Sequence, residues 1–173
     1  MSVMLKSSHH PLIKFVVMSA VFFLVGTVHG VLQVIHPIRV WLDSIGSPYG
    51  GPGHMIDPLA HAHINMVGGV VLLVMAASYH LLPVLSNRPL YSLRLVNHTF
   101  WWVSLGVTGF YSTLLFFGIW EGFLYLEHPA KVEEAHRYYP PVIAAVSTVM
   151  GIGFWCYFAN IFLTARDIYK SRP

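Results

Sequence analysis

Two histidines stand two residues apart in the run Leu59-Ala60-His61-Ala62-His63-Ile64-Asn65-Met66-Val67-Gly68-Gly69. Imidazole can bind a metal, carry a proton or make hydrogen bonds, and the spacing narrows that choice. Two residues along an α-helix turn the chain by about 200°, so His61 and His63 face nearly opposite ways. Histidines at i and i+4 would chelate one ion from a single helix; this pair cannot. Each ring addresses a different neighbour, as axial ligands of two separate porphyrins would. Ala60 and Ala62 keep the rod slim, and Gly68-Gly69 offers a flat surface for a macrocycle or for another helix. Asn65, one turn on from His61, fits either a hydrogen bond supporting that ligand or polar packing. Helix–helix packing alone also selects Gly, Ala and hydrogen-bonded polar residues. The pair, set in a chain with eleven histidines against seven acidic residues, favours ligation.

The elements that carry this pair follow from composition. Of 173 residues, 55% are hydrophobic and only 10% charged, whereas a soluble domain carries about a quarter charged residues. Four apolar stretches, 12–35, 59–85, 96–126 and 142–165, each approach the roughly 20 residues that cross a bilayer as helix. None alternates with the period of a membrane strand, and a helix closes its own backbone hydrogen bonds in hydrocarbon. The expected fold is all-α: one transmembrane domain of four helices spanning residues 1–173. Lys6 and Lys14 flank the first stretch as in a signal peptide. Its length, and the lack of a small-x-small site before His29, predict a retained anchor.

Lys6, Lys14, Arg88, Arg94, Arg166, Lys170 and Arg172 fall on one side of the four spans. Arg39, Lys131 and Arg137 fall on the other, outnumbered there by Asp43, Asp57, Glu121, Glu127, Glu133 and Glu134. The positive-inside rule then puts both termini in the cytoplasm of a multi-pass inner (plasma) membrane protein, with lipid as its immediate partner. Loop 36–57 is read as turn-rich outer cover because of its 47–53 run of Ser, Pro, Tyr and Gly. Asp57 as N-cap and Pro58 in the first turn open the second helix; Pro140-Pro141 opens the last.

One cysteine, Cys156, excludes an internal disulfide framework, a Cys-based iron–sulfur cluster and a CxxCH haem attachment. A net charge of +3 argues against a nucleic-acid partner. Depth groups His29, His36, His54, His61 and His63 towards the outer leaflet. His80, about 28 Å of helix from His61, belongs with His98 at the other end. His29 is open to three readings: ligand, partner of a propionate, or packing residue. His9 and His10 read as solvated tail, His128 and His136 as outer-loop surface, and Glu121 as a solvated helix-end residue ahead of a proton-handling carboxylate. The tryptophans and Tyr138-Tyr139 suit interfacial belts; Phe116-Phe117 and Phe154 read as core or lipid contacts, with the wall of a haem pocket as the alternative.

These motifs carry a resemblance. The stretch 58–120 resembles the catalytic subunit of the haem–copper oxidases, nearest the cbb-type and nitric oxide reductase groups. Ala60-His61-Ala62-His63 followed by Gly68 is similar to that family's His-x-His helix, and Tyr79-His80-Leu81-Leu82-Pro83 and Asn97-His98-Thr99-Phe100-Trp101 look like its next landmarks. Residues 133–172 match the family's last helix less specifically. The resemblance covers nearly the whole chain as the last four of twelve helices. It implies that His61 is the proximal ligand of a high-spin haem and that His63 binds a low-spin haem. The family's copper histidines and the usual partner ligand of its low-spin haem come from earlier helices. A complete oxygen- or nitric-oxide-reducing centre is therefore not expected here. His29 falls where a carboxylate stands in cbb-type relatives. Because the family's helices form three four-helix arcs, one arc could rebuild the plan as a homotrimer, His61 of one protomer facing His63 of the next across a haem b.

The expected function is a membrane b-type haem protein that transfers electrons, with quinol or a respiratory complex as partner. The expected cofactor contacts are His61, His63, His29, Asn65, Gly68 and Gly69, with His61 and His63 on the iron. The alternatives are a gas-reactive haem enzyme or sensor with one open axial position, and a non-redox subunit of a larger respiratory complex.

Overall fold

The structure, a computed structural model, describes residues 10–170. Lys6, His9 and Arg172 lie outside the described residues. Four long helices dominate: α1 His10–Val34, α3 Gly51–Ser86, α4 Leu93–Glu127 and α6 Tyr139–Lys170, with the short α2 His36–Ser44 and α5 Val132–His136 between them. All four long elements are long and apolar enough to cross a membrane. They follow the expected spans and run a few residues further, because their ends are set by local capping. Ser92 accepts from the Leu95 amide at 3.3 Å and starts α4 ahead of its apolar run. Asn87, in the left-handed conformation, ends α3 before Pro89.

The outer cover departs from the expected loop. Residues 36–44 are helical, with Pro37 in the first turn, and Ile38, Trp41, Leu42 and Ile45 recur at helical spacing. That stripe buries Leu42 and Ile45 fully against Ile56, which a run of turns could not do. The first turn of α3, Gly51–His54, follows. At Asp57 the backbone is extended (φ −131°, ψ 112°), and Pro58 restarts the rod as expected. The Asp57 carboxylate serves another purpose: it accepts from Arg39 at 2.7 Å and from Ser47 at 3.0 Å. Asp57 and then Asp43 hold the Arg39 guanidinium above its already high ordinary pKa. This knot clamps α2 over the mouth of α3.

Packing between the long helices depends on small residues, since lipid supplies no hydrophobic drive between them. Gly68 and Gly69 of α3 sit on Phe22 and Phe23 of α1, and the Ser19 hydroxyl donates to the Gly69 carbonyl at 2.8 Å. Gly106 of α4 meets the Met150 backbone, and a Cβ on Gly153 of α6 would lie 2.6 Å from Val103. Tyr79, Phe15, Val96, Phe100 and Val103 form the main core, at the end that carries Lys14 and Arg94. Little of α6 is buried. Beyond its packing on α4, its polar ties lie near its C-terminal end. Buried Asn160 accepts from the Ser92 amide and donates to the Ser92 carbonyl, both at 3.0 Å, and Thr164 accepts from the Tyr91 amide. Those bonds tie the 87–92 turn to α6. Replacing Asn160 by Leu strands two backbone groups and should cost about 2–4 kcal/mol, read as a lowered thermal midpoint in detergent with the helical signal intact before the transition.

Candidate functional site

α3 carries three faces. Ala62, Met66, Val70 and Leu73 are exposed. His61, Asn65, Gly68 and Gly69 form one stripe against α1, and His63 turns to α4. The divergence expected from the two-residue spacing is thus realised towards two neighbouring helices. Over Ile64–Val71 the helix widens to i→i+5 bonding, a distortion common where helices carry function.

His63 is held in one orientation. Its Nδ1–H donates to the Leu59 carbonyl at 2.8 Å, which leaves Nε2 with the lone pair. Its ring lies over Phe110 of α4 at 4.6 Å, tilted 30°. His61 differs. Its ring packs on Gly30, where an added Cβ would come within 2.8 Å of Cε1. Its Nδ1 is buried without a hydrogen-bond partner. Asn65 donates to the His61 carbonyl at 2.9 Å and presses its amide on Gly26. Gly26 and Gly30, four apart on α1, therefore form the groove that receives the polar end of the stripe. Gly68 and Gly69 face helix α1, one of the two surfaces open to them from sequence.

His29 stands edge-on to His61, ring centroids 5.6 Å apart. The Gln33 amide donates to His29 Nε2 at 3.0 Å and to the Ile56 carbonyl at 3.3 Å. Nδ1 of His29 must then carry the hydrogen, and it donates to the Tyr111 hydroxyl at 3.2 Å. Both nitrogens of His29 are engaged, in a neutral chain from Gln33 to Tyr111. Sequence reasoning missed Gln33 and Tyr111. The i+4 spacing of Gln33 from His29 was a readable signal; nothing local marks Tyr111, 82 residues away.

Glu121 corrects an expectation. It is buried, 3% exposed, rather than solvated, because Gly122 and its neighbours pack under α2. His136 is likewise more than a surface group: half-exposed, it reaches in from α5 to bond Glu121 at 3.0 Å. His54 donates to the Pro48 carbonyl within the outer cover. His36, His80, His98 and His128 are exposed. Phe117 belongs to the core and Phe116 to the surface.

No protein-family model matches the chain. It is 27% identical over 168 residues to a cytochrome c oxidase subunit 1 homologue (bacteroid) of Bradyrhizobium diazoefficiens, covering 90% of this chain and 28% of that protein. It is 25% identical over 165 residues to cytochrome c oxidase subunit 1 of Rhodobacter capsulatus, covering 93% and 29%. A third relative, the cbb3-type subunit CcoN1 of Stutzerimonas stutzeri, is 25% identical over 117 residues, covering 66% and 22%. The chain resembles part of an oxidase subunit. It spans less than a third of the length of each of these relatives. With four membrane-capable helices and this similarity to parts of bacterial oxidase subunits, it is a multi-pass inner-membrane protein.

The His61 cradle is testable by itself. Gly30→Val places methyl carbons where the ring now lies. The imidazole ¹⁵N resonances of His61 should shift while those of His63, bonded to Leu59 on another face, stay within line width.

Proposed function

We propose that this chain is a membrane b-type haem protein that transfers electrons, with His61 and His63 as axial ligands to different haems. The observation that carries the reading is the state of the two rings. His63 donates its Nδ1–H to a backbone carbonyl, the support that haem and metal histidines usually have, and keeps Nε2 for a metal. His61 holds a buried nitrogen that the folded chain leaves without a partner. Both rings sit partly accessible on one rod, facing different neighbours.

Haem b bound between two imidazoles would supply one-electron exchange without an open coordination position. The residues of the chain do the rest. Leu59 orients His63, and Phe110 fixes the ring plane. Gly30 leaves space for His61, while Asn65 steadies the turn that carries it. The neutral chain Gln33–His29–Tyr111 sets dipoles beside His61 without adding charge. Because the rings diverge, each haem would be completed by His61 of one protomer and His63 of the next. A closed homotrimer of that kind carries up to three. Its basic end faces the cytoplasm by the positive-inside rule, and a quinol or a respiratory complex serves as electron partner.

The inequality of the two rings supports a second reading. A haem held by His63 alone would keep one axial position open and react with gases. Carbon monoxide separates the two: a large shift of the reduced spectrum selects the open site.

Purified protein should give a positive pyridine haemochrome and split low-spin b-type bands. Both His61→Ala and His63→Ala should remove those bands. Bands unaltered by either substitution rule out shared ligation.

A further inference from the structure

A cavity of about 520 Å³ opens between α1, α2 and α4, beside the His29 chain. Its walls are apolar, among them Val28, Trp41, Leu115 and Ile119, and its polar lining is His29, Gln33 and Tyr111. No lysine, arginine or carboxylate lines it. Leu24, Val28 and Ile119 on its rim are 65%, 51% and 43% exposed, so the mouth opens sideways into hydrocarbon rather than to water. His61 is not part of the lining, which sets this space apart from the histidine pair.

The direction of the hydrogen bonds decides what fits. Gln33 donates to His29, and His29 donates to the Tyr111 oxygen. Tyr111 therefore keeps its own O–H, for which no acceptor stands among the described residues. A phenol hydrogen in a dry cavity calls for an acceptor from a ligand. An acyl chain would bury it unpaired. A phosphate headgroup would enter without a cation to meet it. A neutral, planar ring bearing carbonyl or hydroxyl oxygens on an apolar tail meets every feature. Its oxygen would accept from Tyr111, its ring would lie along Trp41, and its tail would leave over Leu24 and Val28. The volume is within the range of small-molecule sites.

We propose that this cavity binds a membrane quinone or quinol, with Tyr111 as hydrogen-bond donor and the Gln33–His29 pair as the residues that position it. The proposal deepens the electron-transfer reading by naming its small-molecule partner, yet the site stands on its own geometry. The test titrates decylubiquinone into the purified full chain in detergent and follows tryptophan fluorescence. Saturable quenching is expected, largely lost in Trp41→Phe. Tyr111→Phe, which keeps the ring and removes the donor, should raise Kd about three- to tenfold, and Leu115→Trp, which fills the space, should abolish binding. Wild-type affinity in Tyr111→Phe, equal quenching by decanol, or quenching that never saturates would each overturn it. Haem content is read on the same samples. Colourless protein that binds decylubiquinone with this pattern defeats only the haem reading, and haem-bearing protein without saturable binding defeats only this one.

Discussion

A polar atom placed in hydrocarbon must find a partner inside the protein, and this constraint organises the molecule from end to end. Serine and threonine hydroxyls within the spans turn back to their own helix carbonyls, as Thr99, Thr108, Thr113 and Thr148 do, or cross to a neighbour as Ser19 does. Tyr79 meets Thr99 in the core, and Asn160 meets both backbone groups of Ser92. Among the side-chain atoms of the described residues, only the Ser104 hydroxyl and Nδ1 of His61 are buried without a hydrogen bond. A hydroxyl can rotate to a better position. An imidazole wedged between Gly30 and His29 cannot, so the unpaired nitrogen of His61 is the more informative exception.

The same economy explains why α1 is built as it is. Gly26 and Gly30 repeat the four-residue spacing that lets membrane helices approach closely, but what they admit is an amide and an imidazole. Further along the same face the roles invert: Gly68 and Gly69 of α3 receive Phe22 and Phe23. Small and large residues thus alternate across one interface, and the helix pair is held in register by shape. Widening of α3 over Ile64–Val71 lies within this interface, so the histidine pair is presented from a distorted rod whose position is fixed on the α1 side.

Much of this was legible without coordinates. Length and hydropathy mark the four spans because a bilayer demands about twenty apolar residues whatever the tertiary context. The divergence of His61 and His63 was readable for the same reason: helical periodicity is local. Helix α2 was hidden because the Gly- and Pro-rich run after it dominates the segment, although Ile38, Trp41, Leu42 and Ile45 already spelled an amphipathic turn. Glu121 was misjudged because a carboxylate at a helix end is usually wet; its burial depends on α2 lying overhead and on His136 arriving from α5. Tyr111 and Asn160 acquire their roles only from helices far away in sequence, which no single-chain pattern discloses.

Charge is kept away from the centre of the molecule. Arg39 pairs with both Asp43 and Asp57 in the outer cover, Glu121 and His136 pair at the same end, and Lys14 lies on Phe100 at the other while bonding Asn97. Between these ends the polar groups near His61 are uncharged: an amide, an imidazole with one hydrogen, a phenol. Isolated ions there would carry a desolvation cost of several kcal/mol, whereas uncharged groups joined by hydrogen bonds, as Gln33, His29 and Tyr111 are, carry much less. In the proposed electron-transfer role, such a chain would suit a site where charge arrives and leaves one electron at a time. Its dipoles can reorient about fixed atoms, and no counter-ion has to be moved through hydrocarbon to balance them.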